Sequence, residues 1–212
     1  MRGVTEAIRR EYPDIPVFLL GHSMGSLAAR VYAREDDSML DGMILCGSPG
    51  YSYLAPLGYA ISTFLNAIGL GRWRPKLAHR LTSDMYNHDF DSEGPMAWIC
   101  SDPQVCKDYI ENPKTGFRFT VNANKVLMGL MMDAYSSHGS KAGKKDMPVI
   151  FLSGDDDPCT GGTHGLDKAL AAMHAAGYMD ICKKTYPAMR HEVLNEIGKE
   201  RVWQDVLDFM NL

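Results

Sequence analysis

The apolar positions along the chain fall into two regimes. At residues 17–20, 43–46 and 149–152 they form short unbroken runs bounded by glycine, proline or polar clusters. Runs of that length without polar alternation predict strands buried on both faces of a parallel sheet. A fourth strand is expected at Ile181–Tyr186, where Lys183 and Lys184 suit a partly exposed edge. Between the first two runs, residues 24–34 carry Leu27, Ala28, Val31 and Tyr32 at helical spacing, expected to face the sheet. Strand, helix and strand in so short a span make a βαβ unit, so the strands are parallel. Residues 4–11 predict a short helix with Ile8 inward, ended by Pro13 and Pro16. Leu166, Leu170 and Met173 mark another helix stopping near Gly177, and Val202, Val206, Phe209 and Met210 mark the last one.

The second regime runs from Pro49 to Met147 and carries no strong strand signal. Leu54, Leu57, Ile61, Phe64, Leu65 and Ile68 recur at helical spacing. Residues 82–95 are polar and turn-rich, which predicts a mobile loop. Asp102-Pro103 is an N-cap followed by proline at the first helical position, opening a helix that Asn112-Pro113 closes. Residues 116–121 are expected to be extended. Val126, Leu127, Leu130, Met131 and Tyr135 make one helical face, followed by a basic, glycine-containing loop over residues 136–146. So long a helical passage between two strands is too large for an ordinary connection. The expected fold is therefore α/β: a parallel sheet core at residues 1–48 and 147–212, with residues 49–146 inserted as a helical cap or lid over its carboxyl edge.

Candidate chemistry sits where the first strand stops. Gly21-His22-Ser23-Met24-Gly25 places a serine between two glycines at a strand-to-helix corner. Such a corner strains the serine's backbone and lifts its hydroxyl out of the sheet, with small residues on either side making room. The plainer reading is a glycine-rich turn whose serine caps the helix. Two later loops decide between them. One follows the third strand with Asp155-Asp156-Asp157, and the other follows the fourth with His191. Parallel sheets place their sites at that carboxyl edge. A serine hydroxyl needs a base to take its proton, a neutral histidine can do so near pH 7, and a carboxylate orients the histidine. The order Ser, Asp, His is that of an α/β-hydrolase triad. The N–H of Met24, opening the next helix, is placed to stabilise an oxyanion.

The other histidines carry plainer expectations. His22 is expected to be structural, its side chain turned away. His79, His88, His138, His164 and His174 are expected to be solvated, with His164 the one able to face a pocket mouth. Cys159 reads as a packed thiol and Arg72-Trp73-Arg74 as a solvated surface. The acidic run lacks clustered His or Glu, so no metal is expected.

Composition narrows the classes. With 212 residues, 45% hydrophobic and 23% charged, the chain has room for one domain with a sizeable core. A net charge of −4 gives no electrostatic basis for nucleic-acid binding. The 5 cysteines are odd in number and scattered, which suits reduced thiols and a cytoplasmic location. No apolar window is long enough to cross a membrane.

Three stretches carry a family resemblance: Gly21 to Gly25, Gly154-Asp155-Asp156-Asp157-Pro158, and Tyr186-Pro187-Ala188-Met189-Arg190-His191-Glu192-Val193-Leu194-Asn195-Glu196. Together they resemble the serine aminopeptidase S33-type α/β hydrolases, in particular the bacterial lysophospholipases and monoacylglycerol lipases. The stretch from Asp102 to Val121 is similar to the cap of that branch. The resemblance implies hydrolysis of esters of monoacylated lipids through an acyl-serine, without a cofactor. Its Gly-x-x-Asp-Pro pattern points to Asp157, with Asp155 and Asp156 as fallbacks. Members of the family have further strands before the serine strand, including a His-Gly loop with a second oxyanion donor. Here sixteen residues precede Val17, so Met1 is expected to be an internal or truncated start. Two consequences are expected: an unpaired sheet edge at the serine strand that invites self-association, and the loss of one oxyanion donor, worth roughly 10²–10³ in turnover. The expected partner is a small lipid-like ester, with transient membrane-surface contact through the cap. A proline-releasing aminopeptidase and a non-catalytic fragment are the alternatives.

Overall fold

The computed structural model describes residues 1–136 and 142–211. Four parallel strands, β1 (Phe18–His22), β2 (Gly42–Cys46), β3 (Val149–Gly154) and β4 (Ile181–Tyr186), pair in the order β1-β2-β3-β4. The α/β expectation therefore holds, and sheet order follows chain order. Strands β2 and β3 are buried along their whole length, as continuous apolar runs demand. β1 is not. It lies at one edge of the sheet, and Leu20 is 43% exposed, so burial on both faces is corrected for this strand.

Helices cover both faces. On one, Ala29 and Ala33 of α2 (Met24–Asp36) and Leu166, Ala169 and Met173 of α7 (Gly162–Ala176) pack around Met43, Leu45, Val149 and Phe151. On the other, Val202 and Phe209 of α8 (Glu200–Met210) close over Ile44, Ile150 and Leu152. Each large buried side chain contributes about 1.5–3 kcal/mol by leaving water. The sheet-facing stripe of α2 is thus Ala29 and Ala33, with Tyr32 packed against the same cluster as expected, while Leu27, Ala28 and Val31 are not part of it. Leu27 and Val31 face α6 (Val121–Tyr135) instead. A helix packed on both sides carries two apolar stripes, and periodicity alone does not say which one meets the sheet. The inward residue of α1 (Arg2–Glu11) is Thr5, while Ile8 is 39% exposed. This helix is held by polar contacts: Tyr32 Oη donates to Thr5 Oγ1 at 2.9 Å, and Arg9 Nε donates to the Met39 carbonyl at 2.9 Å.

The passage between β2 and β3 holds α3 (Ala55–Ala67), α4 (Lys76–Thr82), α5 (Pro103–Glu111) and α6. Asp102 caps α5 as expected, its side chain accepting from the Gln104 N–H at 2.9 Å. Residues 84–93, expected as a loop, form a 3-10 helix instead, and Asn87 at its centre is buried. Residues 117–120 join no sheet and lead directly into α6. The expected loop over 136–146 falls partly outside the described residues, as does His138.

Helix α6 seats this passage on the sheet layer. Its last-turn carbonyls have no partners within the helix. Arg30 Nη2 and Arg34 Nη2 of α2 both donate to the Ala134 carbonyl, at 2.8 and 3.1 Å. Arg34 also reaches the carbonyls of Asp133 and Ser136. The apolar stripe of α3 points the other way: Leu57, Ile61, Phe64 and Ile68 are all exposed.

Replacing Phe151 with Ala should lower unfolding stability by about 3–5 kcal/mol, because the site is fully buried among packed neighbours. Leu57→Ala should change it by less than about 0.5 kcal/mol. Urea titration of both variants checks the pair. A comparable loss at Leu57 would mean that the α3 stripe belongs to the core.

Candidate active site

The site is assembled at the carboxyl ends of β1, β3 and β4. The first corner turns sharply. Ser23 has φ +52 and ψ −124, a left-handed backbone for a residue with a side chain, and Met24 begins α2 directly after it. The Ser23 N–H donates to the Cys46 carbonyl at 3.0 Å, tying the corner to the end of β2. Ser26 Oγ donates to the Ser23 carbonyl at 2.6 Å and lies 3.0 Å from Ser48 Oγ, so buried hydroxyls brace the strained turn from beneath. The two flanking glycines differ in role. A Cβ on Gly21 would come within 2.5 Å of the Gly25 carbonyl oxygen, whereas one on Gly25 would meet nothing within 4 Å. Only the first is required by packing.

The second corner separates the three acids. Asp155 and Asp156 are exposed and Asp157 is buried. Asp157 Oδ1 accepts from the Cys159 N–H at 2.8 Å, which leaves Oδ2 to face His191. The third corner brings His191 across. Its Nδ1 lies 3.0 Å from Asp157 Oδ2 and its Nε2 lies 2.8 Å from Ser23 Oγ. A carboxylate only accepts, so Nδ1 carries the proton, and Nε2 accepts from the serine hydroxyl. Three side chains from loops more than thirty residues apart thus form one hydrogen-bonded line.

His22 is placed differently from expectation. Its side chain turns toward the site: Nε2–H donates to the His191 carbonyl at 3.1 Å, and the two rings are 4.8 Å apart. Burial, with the neighbouring His191 adding to it, holds the His22 pKa below its ordinary value, so the ring is a neutral donor near pH 7. Gly47, at φ +52, makes the close approach of His191 possible: a Cβ there would sit 2.8 Å from the His191 carbonyl oxygen and 3.1 Å from Nδ1. On a further side, the Trp98 ring packs 5.0 Å from the His191 ring. Gly47, Ser48 and Trp98 escaped the sequence reading because nothing in their local pattern marks them.

A cavity of about 500 Å³ opens over Ser23 and Met24. Its wall is mostly apolar, with Leu54, Met85, Phe117, Leu127, Met128 and Met131 contributing. His164 is exposed at this wall, as expected. His79, expected to be solvated, is half-buried there and pairs with Asp84 at 3.3 Å. His88 and His174 are exposed. Cys159 is a packed thiol whose pKa burial pushes well up, which makes it a poor nucleophile. Among the described residues no group of three or more His, Cys, Asp or Glu could hold a metal ion, and no helix is long and apolar enough to cross a membrane.

Comparison with known proteins supports the fold and gives the family. Monoglyceride lipase of Mus musculus is 32% identical over 212 residues, covering 91% of this chain and 60% of that protein. Monoglyceride lipase of Rattus norvegicus is 27% identical over 210 residues, covering 90% of this chain and 60% of that protein. The chain therefore spans about 60% of the length of these relatives. A solved carboxyl esterase from Bacillus coagulans, in complex with glycerol, matches with a TM-score of 0.81 at 25% identity, over 99% of this chain and 69% of that one. The family model described as serine aminopeptidase, S33, matches residues 1–198, and on that match this chain belongs to the S33 family of α/β hydrolases.

Proposed function

We propose that this chain is a serine hydrolase acting on carboxylic esters of lipid-like substrates, a lysophospholipid or a monoacylglycerol. The observation that carries the reading is the continuous line from Asp157 through His191 to Ser23, at 3.0 and 2.8 Å, beneath an apolar cavity. Ser23 Oγ attacks the ester carbonyl carbon as His191 Nε2 takes its proton. Asp157 stabilises the imidazolium that forms. The Met24 N–H, a first-turn amide without an intrahelical carbonyl, donates to the developing oxyanion. The carbon–oxygen bond to the alcohol then breaks, and His191 returns the proton to the departing oxygen. Water attacks the acyl-Ser23 by the same route, releasing the fatty acid and the free serine. No step calls for a cofactor.

The neighbouring surfaces fit a lipid substrate. Residues 49–146 act in this reading as a cap whose inner side forms the acyl pocket. The exposed stripe Leu57, Ile61, Phe64 and Ile68 on α3 then meets the surface of a membrane or a lipid aggregate, with exposed Trp73 between Arg72 and Arg74 nearby in sequence. The edge strand β1 is the proposed contact for self-association, and 5 unpaired thiols suit a reducing compartment such as the cytoplasm. The aminopeptidase alternative calls for a carboxylate to hold a substrate amino group. The cavity wall offers Lys168, His79 and His164, and among the described residues no Asp or Glu.

A fluorophosphonate probe should label the purified chain at Ser23, and Ser23→Ala should abolish labelling. Retained labelling would move the nucleophile elsewhere. His191→Ala should lose turnover by about 10⁴-fold or more, since residues of such a line act as a unit, while His88→Ala on the exposed surface should match the parent.

On substrates, p-nitrophenyl esters of medium or long acyl chains should be cleaved and proline p-nitroanilide should not. Cleavage of the anilide alone would replace the lipid reading with the peptidase one. Cleavage of neither, together with no probe labelling, would make this chain a non-catalytic relative.

A further inference from the structure

The side chain of His191 is held by Asp157 and Ser23, but its backbone needs anchoring too. It sits in the irregular stretch between β4 and α8. Three consecutive backbone groups around it are tied down. The Arg190 N–H donates to Glu196 Oε1 at 2.8 Å, the His191 carbonyl accepts from His22, and the Glu192 N–H donates to the Ile99 carbonyl at 2.8 Å. Glu196 is buried, and its Oε1 also accepts from the Ser101 N–H at 2.8 Å, with Ser101 Oγ donating to Oε2. Two of the three ties therefore run to residues 99–101 of the cap, one directly and one through Glu196.

Arg190 makes the same connection with its side chain. Its Nη1 donates to the Ala97 carbonyl at 2.7 Å, and its Nη2 meets both Glu93 oxygens at 2.7 and 2.8 Å. The guanidinium lies 4.0 Å from the centre of the Phe90 ring. Between Glu93 and Ser101 lies Trp98, whose ring packs against the imidazole. The residue next to the base thus organises the wall against which the base rests. The ion pair is asymmetric: the Arg190 side chain is 9% exposed and that of Glu93 is 50% exposed, so the connection ends at the cap surface.

We infer that Arg190 and Glu93 form a latch, with Glu196 as its second tie, that positions His191 and couples the order of cap residues 93–101 to the alignment of the base. Arg190, Glu93 and Glu196 are positioning residues, since none touches Ser23 or the reacting atoms. A guanidinium suits the role because its planar fork serves a carboxylate, a carbonyl and an aromatic face at once, which a lysine ammonium does not. The inference rests on the hydrolase reading for its effect on turnover, and on geometry alone for its effect on the imidazole.

The test uses the full 212-residue chain with Glu93→Ala, Arg190→Lys and the double variant. Small misplacements of a catalytic group cost large factors in rate. Glu93→Ala should therefore lower kcat about tenfold or more with KM changed less than about threefold. It should also shift the imidazole nitrogen NMR signals and titration midpoint of His191, assigned by their loss in His191→Gln. In the Arg190→Lys background, adding Glu93→Ala should cost little more. Glu93→Asp should recover part of the loss. Unchanged kcat and unchanged His191 signals in Glu93→Ala would overturn the latch, even with a lowered melting temperature, because a merely structural pair moves only stability. If the parent chain neither turns over ester nor takes the fluorophosphonate, the hydrolase reading fails. The NMR comparison then still decides the latch: shifted signals support it and unshifted signals overturn it.

Discussion

The structure depends on an imidazole held between a buried carboxylate and a serine hydroxyl. Each hydrogen bond in that line tolerates only tenths of an ångström, yet the three groups come from three separate loops. A parallel sheet meets the requirement because its strands end in step. The registers of β1 against β2, β2 against β3 and β3 against β4 fix where each loop leaves the sheet. Dry packing of β2 and β3 between helices keeps those registers from slipping, since a one-residue slip would turn every side chain to the other face. Burial of the sheet and alignment of the site are thus one constraint.

Around the line, support takes different physical forms. Ser23 is strained and is braced by backbone and hydroxyl hydrogen bonds from Cys46 and Ser26. Asp157 is buried, and the Cys159 N–H takes one of its oxygens so that the other faces His191. His191 has ring packing on two sides and backbone ties on both. His191 therefore has the most elaborate surroundings, in keeping with its position on an irregular stretch of backbone between β4 and α8. Much of that support comes from residues 93–101, so the passage between β2 and β3 both walls the cavity and holds His191.

That passage also shows how apolar surface divides. The α6 side meets the sheet layer through packed side chains and through arginines that satisfy its last carbonyls. The α3 stripe is left in solvent. Apolar surface left in water in one contiguous stripe costs free energy, and such stripes mark places where another apolar surface docks. The passage thus presents an apolar cavity wall on one side and an apolar stripe on the other.

The sequence by itself determined the local elements and the candidate residues of the site. Unbroken apolar runs located β2 and β3, the Asp102-Pro103 cap located α5, and Gly21, Ser23 and Met24 located the corner, because backbone sterics and burial act within a few residues. The order Ser, Asp, His pointed to Ser23 and His191, and a family pattern singled out Asp157 from its neighbours. What the sequence left open was every question of facing. The α2 stripe against the sheet, the outward turn of α3, the 3-10 helix at residues 84–93 and the inward turn of His22 were all decided by packing. The roles of Trp98, Arg190, Glu93 and Glu196 arose the same way, since contacts between residues nearly a hundred positions apart exist only once the sheet has brought its loops together.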